Sequence, residues 1–164
     1  MPLALTGSCK CGAVRFTALS QDPCPYLRCY CSICRKTGGG GGYAIGINAI
    51  FSSLKIEGAE AIGGFHATLQ SPDGKPIVSP VERQFCIHCH TALFGRGPDW
   101  GDLISIAASA VDSDLPDPPS LAHMMLGSKA NWVKPEIGPD DETFEEFPDK
   151  SVEEWHRAHG VWLE

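Results

Sequence analysis

Three cysteines and two cations stand side by side in this sequence. Cys29, Cys31 and Cys34 form a Cys-x-Cys-x-x-Cys motif that Arg35 and Lys36 follow directly. The spacing is too crowded for a pair of disulfides, but it suits three sulfur atoms that converge on one soft cation, above all zinc. Three protein ligands leave the fourth tetrahedral position open, and an open position is what a catalytic zinc requires.

A second cysteine pair lies near the start of the chain. Cys9 and Cys11 are flanked by glycines and precede an alternating apolar segment at residues 13–19. Side chains two positions apart share a face of an extended strand, so both thiols could reach one ion. The alternative is a pair of reduced cysteines in the core, where this residue type is common.

A third group, Cys86-Ile-His-Cys89, has the Cys-x-x-Cys spacing of a metal-binding knuckle. A redox pair has the same spacing, but a thioredoxin-like motif needs a βαβ setting that this strand-rich segment does not supply. His88 and His90 flank the knuckle and could substitute as ligands. Because enough cysteines lie elsewhere, we interpret both histidines as surface groups or as neighbours of the ligands.

The eighth cysteine, Cys24, fits no ligand spacing and is predicted to be a buried or free thiol. The other seven divide most sensibly into four outer thiols, which would close a structural zinc site, and three inner thiols, which would leave one open. Spacing alone does not prove that partition. In the alternative, Cys24 or a histidine completes the inner set.

Groups that could bind a substrate follow the three-cysteine motif. Arg35 and Lys36 are either ordinary surface cations or partners for an anionic substrate. Residues 38–42 are all glycine, either a flexible loop or a segment whose backbone N–H groups, at Gly39 and Gly40 for example, approach a ligand closely. The run lacks the strand and helix context of a phosphate-binding loop.

Composition narrows the class of protein. A chain of 164 residues is expected to form one domain, and 18 glycines with 13 prolines favour short strands and turns over a helical bundle. A net charge of -7 argues against nucleic acid as the main partner. Neither a signal peptide nor a membrane-spanning stretch is recognisable, so eight cysteines indicate metal binding in a reducing compartment, the cytoplasm.

The elements that must position these groups are mostly strands. Apolar alternation predicts a short strand at residues 24–28 and further strands at 43–47, 51–56, 61–67, 91–94, 102–108 and 121–126. Residues 70–80 are predicted to form an exposed hairpin or loop. Trp132 is expected to be buried. Ser151 and Glu154 have the spacing of a capping box, which predicts a short C-terminal helix.

Taken in order, these motifs resemble those of the glutathione-dependent formaldehyde-activating (GFA) family, whose domain is shared with centromere protein V. The resemblance rests on Gly-x-Cys-x-Cys-Gly, then Cys-x-Cys-x-x-Cys-Arg-Lys, then Arg-x-Phe-Cys-x-x-Cys, and covers the chain from Gly7 to about Trp132. Two positions depart from the family pattern. Tyr30 stands where the family often has His, and His90 stands where it has Gly.

The resemblance implies a mainly β architecture, the β-tent fold, in which antiparallel sheets surround zinc. It implies a GFA-type zinc domain at residues 3–134, and we expect the acidic extension at 135–164 to pack on it. It also implies two zinc ions per chain. The structural ion would be held by Cys9, Cys11, Cys86 and Cys89, and the catalytic ion by Cys29, Cys31 and Cys34.

The activity implied is that of a carbon–sulfur lyase acting on a thiol–aldehyde adduct such as S-hydroxymethylglutathione. The expected partner is a small thiol such as glutathione, held by Arg35, Lys36, Gly39 and Gly40, with no nucleic acid and no membrane involved. The chain would act as a monomer or homodimer. The competing hypothesis is a non-catalytic zinc-stabilised module that binds a protein.

Overall fold

The computed structural model describes all 164 residues and contains two β-sheets. The smaller sheet is antiparallel, with strand order β1-β2-β5. Its strands are β1 (Leu3–Ser8), β2 (Arg15–Ser20) and β5 (Lys55–Glu57). Along β2 every second side chain is buried, as the alternation in the sequence predicts for a strand with one face on the core.

The larger sheet has eight strands in the order β11-β10-β3-β4-β9-β8-β7-β6. Its strands are β3 (Leu27–Cys29), β4 (Ala44–Ile50), β6 (Ile62–Gln70), β7 (Pro76–Cys86), β8 (Ala92–Arg96), β9 (Leu103–Ala107), β10 (Ala122–Met124) and β11 (Glu142–Thr143). Its pairings are antiparallel except that β10 runs parallel to both β3 and β11. The predicted mainly β architecture is therefore confirmed, with a mixed edge on the larger sheet.

The main core lies between the two sheets. Phe16 of β2 meets Phe94 of β8 edge to face, with ring centroids 5.1 Å apart, and so joins the smaller sheet to the larger one. The fully buried Leu5, Ile47 and Ile106 pack in the same cluster. Aromatic pairs of this geometry add about 0.5–1.5 kcal/mol beyond the burial of their area.

A second, smaller core fixes the C-terminal segment. The helix α2 (Val152–Ala158) begins at Ser151, whose side chain accepts a hydrogen bond from the Glu154 backbone while Glu154 bonds back to Ser151. This capping box confirms the predicted helix. Trp155 of α2 stacks on Tyr26 with centroids 3.6 Å apart. The division of the chain into a domain at 3–134 and an extension at 135–164 stays a proposal.

The first helix, α1 (Ser32–Thr37), has no counterpart in the sequence prediction. It begins at Cys31, whose sulfur accepts a hydrogen bond from the backbone N–H of Cys34. Cysteine is not among the residues that ordinarily mark a helix start, so no capping signal precedes this helix in the sequence. None of the chain's helices has the length and apolar character needed to cross a membrane.

Two expectations are wrong. Residues 51–56 do not form one strand, because Phe51–Ser53 is a 3₁₀ turn and only Lys55–Glu57 is extended. Asp102 accepts hydrogen bonds from both the backbone and the hydroxyl of Ser52 at 2.7 Å, and such side-chain bonds compete with a strand ladder. Trp132 is 62% exposed, and its neighbour Val133 is buried instead.

Candidate metal centres

Four cysteines meet where the smaller sheet approaches the end of β7. Cys9 and Cys11 lie in the turn between β1 and β2, Cys86 ends β7, and Cys89 lies in the turn that follows. Their sulfur atoms all lie within 4.8 Å of one another. The Cys9–Cys11 and Cys11–Cys86 separations are 3.5 and 3.7 Å. A tetrahedral zinc with Zn–S bonds of 2.3 Å needs sulfurs about 3.8 Å apart, so this set fits the ion.

Tight turns bring each of these pairs together. Gly12 has a φ of 79° and its N–H donates to the Cys9 carbonyl, while His90 has a φ of 60° and its N–H donates to the Cys86 carbonyl. The Thr91 hydroxyl lies 3.1 Å from the Cys89 sulfur, and hydrogen bonds from Thr91 and from the Cys11 backbone lower the pKa of Cys89 to about 5. A thiol with that pKa is ionised at neutral pH, which is the form that binds metal.

The three-thiol cluster forms where β3 meets α1. Cys29 ends β3, Cys31 caps α1, and Cys34 lies one turn into it, with the three sulfurs within 4.8 Å of one another. Hydrogen bonds from Cys29 and Cys34 lower the pKa of Cys31, so at least one of the three thiols ionises readily. Cys29 is buried, whereas Cys31 and Cys34 are partly exposed. Three soft donors that leave one side exposed fit a zinc ion with an open position.

That exposed side belongs to a cleft of about 970 Å³ lined by all three cysteines of the cluster. Its walls include apolar side chains such as Phe65, Trp100 and Met124. None of its 36 lining residues is Asp or Glu, although the chain has 20 acidic residues. Lys36 and Arg83 are its only lysine and arginine. The cleft therefore carries positive charge in a protein whose net charge is negative.

The predicted substrate-binding residues lie in different places. Lys36 lines the cleft, but Arg35, Gly39 and Gly40 are not among its lining residues. Gly39 and Gly40 are exposed, with no neighbouring heavy atom within 4 Å of the position a side chain would take. Arg83 was not selected from the sequence. Arg83 is the first residue of the Arg-x-Phe-Cys motif, which could have pointed to it, but only the cysteine of that motif is a recognisable ligand.

Behind the three-thiol cluster runs a buried chain of hydrogen bonds that the sequence did not indicate. The Tyr30 hydroxyl lies 2.9 Å from His123 Nδ1, and His123 Nε2 lies 3.3 Å from an Asp141 carboxylate oxygen. Asp141 also accepts from the backbone N–H groups of Leu121 and Gly138, which lower the pKa of its carboxyl. Tyr30, between two of the three cysteines, therefore points into the protein and does not join their sulfur atoms.

The remaining candidate ligands lie outside both clusters. Cys24 is buried, as predicted, and its backbone N–H donates to His156 Nε2 at 3.2 Å. His88 and His90 are exposed. Neither belongs to either group of converging ligand atoms. The ligands available in each of the two clusters are therefore thiolates alone.

Fold and site together define a class of small β protein in which clustered cysteines could hold two metal ions. Residues 4–128 match the family model described as glutathione-dependent formaldehyde-activating enzyme, and the chain belongs to that family. A curated relative from Halomonas elongata is named "Putative glutathione-dependent formaldehyde-activating enzyme". It is 46% identical over 159 residues, which cover 97% of this chain and 98% of the relative.

A similar solved structure is the crystal structure of a Rhodobacter sphaeroides protein. The match covers 68% of this chain and 91% of that chain, at 24% sequence identity and a TM-score of 0.46.

Proposed function

We propose that this protein is a carbon–sulfur lyase-type enzyme that forms or breaks the adduct of a small anionic thiol with an aldehyde. The observation that carries the proposal is a cleft free of carboxylates that opens directly on three clustered thiols. Glutathione is the first candidate thiol, because the curated relative is named for it and because its carboxylates match a positively charged cleft. The corresponding adduct with formaldehyde is S-hydroxymethylglutathione.

Zinc held by Cys29, Cys31 and Cys34 would supply a soft position that favours a sulfur ligand over water. The chain's own residues then bind and orient the substrate. Lys36 and Arg83 attract its carboxylates, and the apolar walls of the cleft limit the access of water. Holding thiol and aldehyde together in one cleft converts an encounter in solution into a reaction between bound partners.

The chemistry balances without an oxidant or reductant. A carbon–sulfur bond forms as the thiol sulfur adds to the carbonyl carbon, and the carbonyl electron pair moves to oxygen. The thiol proton is released, and the oxygen takes up one proton. The reverse reaction breaks the same bond and returns the aldehyde and the thiol.

Four of the seven clustered thiols have a structural role in this proposal. Cys9, Cys11, Cys86 and Cys89 would close a second zinc site that ties the smaller sheet to β7. A closed site contributes its metal-binding free energy to folding. None of the eight cysteines forms a disulfide, which suits a reducing compartment, so we propose that the enzyme acts in the cytoplasm.

The test is exchange spectroscopy by NMR on glutathione and formaldehyde with the zinc-loaded protein. Spontaneous addition is the background, and the Cys31→Ser variant is the matched control. We expect faster exchange with the native protein than with Cys31→Ser. Equal rates for the two proteins would reject catalysis, and a zinc-stabilised protein-binding module would then be the better hypothesis.

A further inference from the structure

Arg83 occupies a central position on the wall of the cleft. It lies on β7, paired with Phe65 of β6 on one side and with Gly95 of β8 on the other. Directly paired residues of antiparallel strands project from the same face of the sheet, and all three residues line the cleft. Gly95 contributes no side chain, and a Cβ built on it would meet no heavy atom closer than 3.8 Å. Gly95 therefore leaves this face of the sheet free of a side chain beside Arg83.

No carboxylate of the protein pairs with Arg83. It takes part in none of the chain's five salt bridges, and its Nη1 atom is buried without a hydrogen-bond partner. Buried donors in folded proteins are nearly always paired, and a guanidinium is the side chain best suited to grip a carboxylate with two parallel bonds. A donor of this kind, on the wall of a cleft lined by no acidic residue, has the right chemistry to bind a carboxylate.

Arg83 also lies near the three-thiol cluster. Arg83 and all three cysteines of the cluster line the same cleft. Lys36, the other cation of the cleft, is on α1 beside the same cluster. A thiol whose sulfur reaches the cluster would therefore have a carboxylate-binding group within the same cleft.

We propose that Arg83 is a specificity-determining residue that pairs with a carboxylate of the thiol substrate. The site then selects thiols that carry a carboxylate over neutral thiols of similar reactivity. This inference rests on the proposed function, because it assigns Arg83, a residue of the same cleft, to the carboxylate of the same substrate. Arginine is required for the paired geometry, because lysine offers a point charge without the planar pair of donors.

The experiment measures dissociation constants by calorimetry on zinc-loaded protein, with glutathione and with 2-mercaptoethanol, which has no carboxylate. We expect Arg83→Met to weaken glutathione binding about ten- to hundredfold, the range of a charged hydrogen bond, while 2-mercaptoethanol binds as before. Arg83→Lys should recover part of the loss. Arg15→Met, on an exposed position of β2 outside the cleft, is the matched control.

The outcomes separate this inference from the proposed function. If the native protein binds glutathione and Arg83→Met binds it equally well, only the role of Arg83 is overturned. Equal losses for both thiols would also overturn it, since carboxylate recognition predicts a selective loss. No binding of either thiol by the native protein would overturn both proposals.

A measurement on the native protein keeps the inference testable if the variants do not fold. Glutathione with both carboxylates esterified should bind about ten- to hundredfold more weakly than glutathione itself. Equal affinity for ester and acid would contradict the inference.

Discussion

The buried chain Tyr30–His123–Asp141 allows a quantitative test of how the three-thiol cluster is held. A carboxylate only accepts hydrogen bonds, so His123 Nε2 carries the hydrogen that faces Asp141, while Nδ1 forms its hydrogen bond with the Tyr30 hydroxyl. Tyr30 is 1% exposed and His123 is fully buried. In Tyr30→Phe, the Nδ1 atom loses its hydrogen-bond partner in a place that water does not reach.

Leaving one buried polar group unpaired costs about 1–3 kcal/mol. For a domain of this size, each kcal/mol lowers the melting temperature by about 2–4 °C, so Tyr30→Phe should melt about 2–12 °C lower. The assay is thermal unfolding of the zinc-loaded protein followed by circular dichroism. Tyr43→Phe is the matched control, because Tyr43 lies beside Tyr30 with ring centroids 5.3 Å apart but is only half-buried.

The Tyr43 hydroxyl takes part in none of the side-chain hydrogen bonds within the protein, so Tyr43→Phe should change the melting temperature by less than about 1 °C. If both variants have the melting temperature of the native protein, the buried chain does not contribute to the stability of the fold around the cluster. That result would refute the supporting role assigned to the Tyr30–His123–Asp141 chain.

Two further predictions concern which of the two clusters stabilises the fold and how that stability depends on pH. Cys86→Ser should lower soluble yield and melting temperature more than Cys34→Ser, because Cys86 is fully buried in the four-thiol cluster whose metal contributes to folding; equal losses would reject that division. Burial lowers the pKa of His156 below its ordinary value of 6.5, so the unfolded chain binds its proton more readily. The associated stability is fully present above pH 6.5 and is lost as pH falls toward the folded pKa. Melting temperatures between pH 7.5 and 5.5 should therefore fall less steeply for His156→Gln than for the native protein, and identical slopes would contradict this assignment.

The parts of the fold that sequence could predict are those set by local pattern. Alternation of apolar residues located β2 and β9, and the capping box at Ser151 located α2. Cysteine spacing marked seven thiols as candidate ligands, and the fold brings them together as groups of four and three. In each case the signal depends on residues only a few positions apart, or on residue types with few other uses.

Other features depend on contacts between distant segments. His123 and Asp141 are 18 residues apart, and Tyr30 is 93 residues from His123, so no local pattern could pair them. Arg83 faces the cleft because of its register with Phe65 and Gly95, which the sequence does not specify. Helix α1 could not be predicted because its first cap is a cysteine sulfur.

The central claim is that the three-thiol cluster holds a metal ion with a position free for a thiol, while the four-thiol cluster is closed. Cadmium NMR on the cadmium-substituted protein tests it most directly, because cadmium accepts the same thiolate ligands and its chemical shift reports their number. We predict two resonances per chain, of which glutathione shifts only the one that Cys31→Ser abolishes. A single resonance, or two resonances that glutathione leaves in place, would contradict the account.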